Sequence, residues 1–253
     1  MKMHLLPSGR LRMRRRVYHP DAAREEKIEL PVISVVLKHP QGNVIFDSGC
    51  HPDVATDPEG RWGDLVRVIE PIFGPRDTLI AQLPRAGLTC DDVDLVICSH
   101  FHIDHCGCNT LFGKATVICH EAELAAAQGP DAKAMGYFPE DWDNGRPIQT
   151  INAQHDVFGD GRITLLPMPG HTPGMTVAHV ALDRSGPFLL ASDAIAVRGN
   201  LDERVAPAVT WDRDLSLKAL DEIARFEAAG DTILFGHDDA QWQDLRKGEA
   251  FYD

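Results

Sequence analysis

Between residues 99 and 109 the chain reads SHFHIDHCGCN, in which His100, His102, Asp104 and His105 form an H-x-H-x-D-H run. Residues two apart do not face each other on a helix. His100 and His102 therefore meet only in a loop, and a loop leaving a strand end lets them converge on one point. The Asp104–His105 pair that follows can aim at a second point close by. Imidazole nitrogen and carboxylate oxygen together suit zinc, iron, cobalt or manganese. The competing reading is a polar loop in which the histidines merely cluster, but four potential ligands in six residues have no ready structural explanation.

Three further stretches carry the same signature. "PMPGHTPG" places His171 in a Pro/Gly-shaped turn just after a strand, "LLASDA" places Asp193 at the end of an apolar run, and "ILFGHDD" places His237 at the end of another. One histidine at a strand end is usually just solvated or hydrogen-bonded. Four polar strand tips in one chain, counting the first, are jointly a strong signal.

These tips need strands behind them. "LPVISVVLKHPQGNVIFDSG" (30–49) is rich in β-branched residues and turns at Pro40–Asn43, so it reads as two strands. "DLVICSH" is a buried-type strand running into the metal-like loop, and "ATVICHEAELAAAQG" is strand then helix, closed by Gly129. "RWGDLVRVIEPIF" and "DTLIAQLPRAGL" have the spacing of short helices, the second kinked or ended by Pro84. Residues 129–150 read as a long loop with helical turns, of the kind that forms lids. Hairpins follow around Gly159–Gly161 and Arg184–Pro187, then an amphipathic helix over 214–230 and a last strand, "DTILFGH". Two face-to-face sheets with helices outside would bury all of this. No linker divides the chain, so residues 1–253 are expected to form one domain.

The formal net charge of -13 weighs against a protein that grips nucleic acid through its phosphates. The basic start, MKMHLLPSGRLRMRRRVYH, lacks a continuous apolar segment and does not read as a signal peptide. No run reaches the length of a membrane span. Six cysteines in a chain of this size then read as reduced thiols of a cytoplasmic protein. The arginines at 10, 12, 14, 15 and 16 partly alternate, as on a strand with a charged solvent face, although they could also meet an anionic partner. Cys106 and Cys108 are expected to be small packing residues.

The H-x-H-x-D-H run, the Gly-His turn at His171, the strand-ending Asp193 and the late Gly-His at His237 resemble the metallo-β-lactamase superfamily. The resemblance covers nearly the whole chain, and the intervals between these ligands, with "LLPSGRLRM" and "LPVISVVLKHPQGNVIFDSG" near the start, look most like the N-acyl-homoserine lactone lactonases. The resemblance implies an α/β fold, an αββα sandwich of two mixed β-sheets flanked by helices, with two metals, zinc by preference, at one sheet edge. His100, His102 and His171 would hold the first metal, Asp104, His105 and His237 the second, and Asp193 would bridge them. Asp47 in "FDSG" resembles the buried aspartate that orients the metal loop, although it could simply cap a strand end. The implied reaction is opening of a lactone ring by water activated between the metals, with Asp193 at its centre and Asp104 handing a proton to the departing ring oxygen. The small-molecule lactone would be the partner.

One position departs from the pattern. The lactonases carry a substrate-binding tyrosine three residues after the bridging aspartate, where this chain has Ala196. Tyr137, Phe138 and Trp142 in the 129–150 loop, and His155, are candidate substrate contacts in its place. Met3, Leu5 and Met13, with Phe138 and Trp142, could line an apolar pocket, or serve as core. Another small lactone, or a glyoxalase-type thioester, remains an alternative substrate, although only a short tail follows His237. A β-lactamase normally lacks the bridging aspartate. The diiron reductases of the superfamily carry glutamate where this chain has His102. An inactive metal-binding scaffold is the non-enzymatic alternative.

Overall fold

A computed structural model describes residues 1–253. In chain order, the strands are β1 (Lys2–Arg14), β2 (Lys27–His39), β3 (Gly42–Phe46), β4 (Glu70–Pro71), β5 (Leu95–Ile97), β6 (Thr116–His120), β7 (Gln149–Ile151), β8 (His155–Asp156), β9 (Ile163–Pro167), β10 (Thr176–Leu182), β11 (Gly186–Ser192), β12 (Thr232–Phe235) and β13 (Phe251–Tyr252). The helices are α1 (Pro58–Trp62), α2 (Leu79–Gln82), α3 (Glu121–Ala127), α4 (Pro139–Trp142), α5 (Arg198–Asp202), α6 (Arg213–Ala229) and α7 (Asp239–Asp244). One sheet runs β13-β1-β2-β3-β5-β6-β7, with β4 beside β1; the other runs β12-β11-β10-β9-β8.

The two-residue period of a strand explains how the layers bury one another. In β2, Val35 and Leu37 join Ile163, Leu165, Val180 and Leu190 between the sheets. Val36, between them, turns outward to Leu79 and Leu83 around α2. On the second sheet, Val177, Leu189 and Ile233 turn outward to Ala219, Leu220 and Ile223 of α6. Strands buried on both faces need apolar residues at almost every position, which is the composition of 30–37 and 186–191. The result is an αββα sandwich. Met3 and Leu5 lie in its inter-sheet core. Arg10 and Arg12 both pair with Glu29 of β2, Arg12 also with Glu70 of β4 and Arg10 also with Asp239 of α7.

Helix α6 starts at Asp212, whose side chain accepts from the Leu215 N–H, and ends at Gly230 in the left-handed conformation. Two expected helices are cut short. "RWGDLVRVIEPIF" gives only the end of α1 and a 3-10 turn, Gly63–Arg67, before β4, because Gly63 takes φ 56 and breaks the helix. "DTLIAQLPRAGL" tightens to a 3-10 turn over Leu83–Ala86, where Pro84 cannot donate.

Strands β3, β5, β6 and β7 are parallel, as are β11 and β12. Strand β9 runs antiparallel to β10, and β10 antiparallel to β11, so β9 and β11 point the same way. Asp47, Ser99, His171, Asp193 and His237 therefore all follow the C-terminal tips of strands. Carboxyl ends of such strands are where open α/β sheets bind ligands.

A fully buried carboxylate ties two of these tips together. Glu123 of α3 accepts the Phe101 N–H at 3.0 Å with one oxygen and the Gly174 N–H at 3.0 Å with the other. The approach is so close that a Cβ on Gly174 would lie 2.3 Å from the Glu123 backbone nitrogen. Replacing Glu123 with alanine strands two buried donors. Glu123→Ala is expected to cost about 2–4 kcal/mol, read by denaturant unfolding, with a fall in Tm of roughly 5–15 °C.

Candidate metal centre

The loop after β5 brings His100, His102, Asp104 and His105 to the sheet edge, and the tips of β9, β11 and β12 add His171, Asp193 and His237. Three donor groups result, each within 4.8 Å: His100, His102 and His171; His100, His105 and Asp193; and Asp104, His105 and His237. His102 Nδ1 lies 3.0 Å from His100 Nε2 and 3.0 Å from His171 Nε2. His237 Nε2 lies 3.3 Å from His105 Nε2 and 3.6 Å from Asp104 Oδ2. Asp193 spans both sets: Oδ2 is 3.5 Å from His171 Nε2, and Oδ1 is 3.0 Å from His237 Nε2 and 3.4 Å from His105 Nε2.

The far nitrogens fix the protons. His102 Nε2 donates to Met135 O at 3.0 Å, His171 Nδ1 to Val209 O at 3.2 Å, and His237 Nδ1 to Pro31 O at 2.9 Å. His105 Nδ1 donates to Asp47 Oδ2 at 2.9 Å. The Ser99 hydroxyl donates to Asp47 Oδ2 at 2.8 Å and so accepts from His100 Nδ1 at 2.9 Å. Each imidazole thus turns a bare lone pair toward its neighbours. Lone pairs repel at 3.0–3.3 Å unless a cation sits between them. A tetrahedral ion with bonds of about 2.0–2.1 Å would set its donors roughly 3.3–3.4 Å apart, close to the spacings seen. Asp193 Oδ1 is buried without a protein donor, as an oxygen reserved for a cation would be.

The electrostatics divide the two cages: against burial, the carboxylates of Asp104 and Asp193 raise His105 and His237, so without a cation these two rings hold protons, whereas the other cage favours neutral rings. Burial pushes the His100 imidazole well down, helped by His105, His102 and His171. His171 is pushed down to about 4, by burial first. Burial opposes charge on Asp193, but His237 and His105 outweigh it and hold the carboxyl well below its usual range. Asp47, Asp104 and Asp193 bring negative charge into a site that can offset it only with cations or imidazolium. The donor set therefore fits two divalent ions, one on His100, His102 and His171, the other on Asp104, His105 and His237, with Asp193 between.

Asp47 is the frame. Besides His105 it accepts the Ser99 N–H at 2.8 Å, the Ser99 hydroxyl, and the Ser192 hydroxyl at 2.8 Å. Asp47 and Ser192 both have positive φ, 57° and 45°. Non-glycine residues rarely adopt such values, and the strain persists only where surroundings impose it. Both strand ends are bent so that their side chains meet under the donors. Gly236 completes the fit: a Cβ there would lie 2.7 Å from Asp193 Oδ1.

A cavity of about 210 Å³ opens onto the donors, walled by Met13, Val17, Leu65, Ile69, Ile103 and Val209, with Ala134, Met135 and Gly136 of the 129–150 segment. His102, Asp104, His171 and Asp193 reach it, and so does Tyr18. The four other sequence candidates do not line it. Tyr137 is fully buried, its hydroxyl facing Glu123 and Thr172 without a close partner. Trp142 stacks on Phe101 at 5.1 Å, Phe138 packs against the cluster containing Val17 and Tyr18, and His155 sits on β8 at the end of the second sheet. The thiols of Cys106 and Cys108 donate away from the donors, to Phe101 O and Cys50 O.

Sequence reading missed Ser99, Ser192 and Tyr18. The two serines each directly precede a metal-type ligand, a usable signal. Tyr18 lay unmarked behind the arginine run. Because an orienting carboxylate of this kind tunes its imidazoles, Asp47→Asn is expected to weaken metal affinity about 10- to 100-fold, measured by competition with a chromophoric chelator.

Residues 28–237 match the model of the metallo-beta-lactamase superfamily. The chain is 34% identical over its whole length to the N-acyl homoserine lactonase AttM of Azorhizobium caulinodans, covering 99% of that protein. It is 31% identical to the N-acyl homoserine lactonase AiiB of Agrobacterium fabrum over 89% of this chain and 86% of that one. A solved N-acyl homoserine lactone hydrolase, with the product N-hexanoyl-L-homoserine at its catalytic metal center, superposes with a TM-score of 0.88, at 25% identity, covering 99% of this chain and 98% of that one. The fold, the donor set and the match over most of the length agree: this chain belongs to the metallo-β-lactamase superfamily.

Proposed function

We propose that the protein is a dinuclear metal-dependent lactonase that opens the ring of N-acyl-homoserine lactones, and so quenches the signals built on them. The observation that carries this reading is a pair of lone-pair cages sharing Asp193 at the foot of an apolar cavity. Likeness to two named N-acyl homoserine lactonases along nearly the whole chain supports the substrate class. His100, His102 and His171 would hold one ion, Asp104, His105 and His237 the other, with Asp193 shared between them. Donors that are all imidazole or carboxylate favour zinc, with iron, cobalt or manganese as substitutes. The chemistry such ions would supply is polarisation of the ester carbonyl, a water activated at neutral pH and compensation of charge on the leaving oxygen.

The chain's own residues do the rest. Met13, Val17, Leu65 and Ile69 give an acyl chain an apolar wall and exclude water from the ester. Residues 129–150, through Ala134, Met135 and Gly136, cover the cavity as a lid. Asp104 lines the cavity and is the least buried carboxylate of the donor set, with 15% of its side chain exposed. We assign it the proton that leaves the incoming water and returns to the ring oxygen. The six free thiols suit a reducing compartment, and we place the reaction in the cytoplasm. No helix is long and apolar enough to cross a membrane.

A panel of acyl-homoserine lactones, simple γ- and δ-lactones, thioesters and β-lactams tests this reading. Acyl-homoserine lactones are expected to be opened fastest, and Asp193→Ala to reduce turnover to background. Asp104→Asn should lower kcat by about 10²- to 10⁴-fold with both metals retained. Thioester cleavage without any lactone opening would refute the reading.

A further inference from the structure

The cavity over the donors is chemically sparse. Apart from the ligand residues His102, Asp104, His171 and Asp193, its lining side chains are apolar or glycine with one exception, Tyr18. Tyr18 is 7% exposed, and its ring centroid lies 6.3 Å from that of His237. It sits just past the Arg15–Val17 turn that ends β1, far in sequence from every ligand.

The position is built rather than incidental. The buried Asn200 donates through Nδ2 to Tyr18 O at 2.7 Å, and the Ala208 N–H donates to Val17 O at 2.7 Å. The segment following Asp193 thus pins the backbone on both sides of the ring. Tyr18 shares one apolar cluster with Ala196, Val197 and Ile103. The hydroxyl has no hydrogen-bond partner in the protein. A free donor on the wall of the cavity that Asp104 and Asp193 also line is one that a ligand can complete.

We propose that Tyr18 orients the substrate, its hydroxyl donating a hydrogen bond to the carbonyl oxygen of the ester being opened. The inference rests on the lactonase reading. An ordinary phenol keeps its proton near neutral pH, with a pKa of about 10. Tyr18 is therefore a neutral donor, unsuited to giving up its proton, while Asp104 handles the proton for the ring oxygen. The carbonyl oxygen gains negative charge as the tetrahedral centre forms, so the bond strengthens along the reaction.

Tyr18→Phe keeps the ring and removes only the hydroxyl. With two metals per chain verified in both proteins, kcat is expected to fall roughly 10- to 100-fold. Affinity for an N-acyl-homoserine lactam, an analogue that resists hydrolysis, should fall about fivefold by calorimetry. Values of kcat and lactam affinity both within about twofold of wild type would overturn the role of Tyr18. If the intact enzyme opened no lactone, the lactonase reading and this inference would fall together. An active enzyme indifferent to Tyr18→Phe would overturn this inference alone.

Discussion

Imidazole lone pairs that face one another at 3.0–3.3 Å inside a protein are unfavourable unless something positive lies between them. The chain commits to that arrangement by occupying the opposite nitrogens. Met135, Val209 and Pro31 supply backbone carbonyls, and Asp47 and Ser99 supply side chains. Rotating any one ring to relieve the repulsion would break one of these hydrogen bonds, so the geometry persists and suits a cation between the rings. Asp193 follows the same logic, with an oxygen turned to each cage and one of them lacking any protein donor.

The sandwich exists around this constraint. Parallel strands end at one edge, and the tips of β3, β5, β9, β11 and β12 supply the frame and the donors. Closing the tips together requires backbone that strands do not otherwise adopt, at Asp47 and Ser192. It also requires close approaches that only glycine allows, at Gly174 and Gly236. Glu123 compensates by tying the loop at Phe101 to the loop at Gly174. The strain is concentrated where the ligands must be held and offset by hydrogen bonds around it.

Much of this was legible in the sequence because metal ligands are few in type and sit at strand ends. H-x-H-x-D-H, His171, Asp193 and His237 could be picked out one by one, and the β-branched runs behind them gave the layers. The short helices near residues 61–88 were less legible, since Gly63 and Pro84 turn helical spacing into 3-10 turns. The cavity wall was harder still. Tyr137 and Trp142 look like loop aromatics facing a substrate, yet both are buried. Tyr18 looks like the end of a basic strand, yet it reaches the cavity. Which aromatic faces the site depends on long-range contacts such as Asn200 to Tyr18, and local pattern carries no trace of them.

The most direct measurement is anomalous X-ray scattering from crystals of the zinc-loaded protein. The account predicts two peaks per chain roughly 3.5–4 Å apart. One would be bound by His100, His102 and His171, the other by Asp104, His105 and His237, with an Asp193 oxygen on each. A single peak, or two peaks that leave Asp193 unbound, would contradict it.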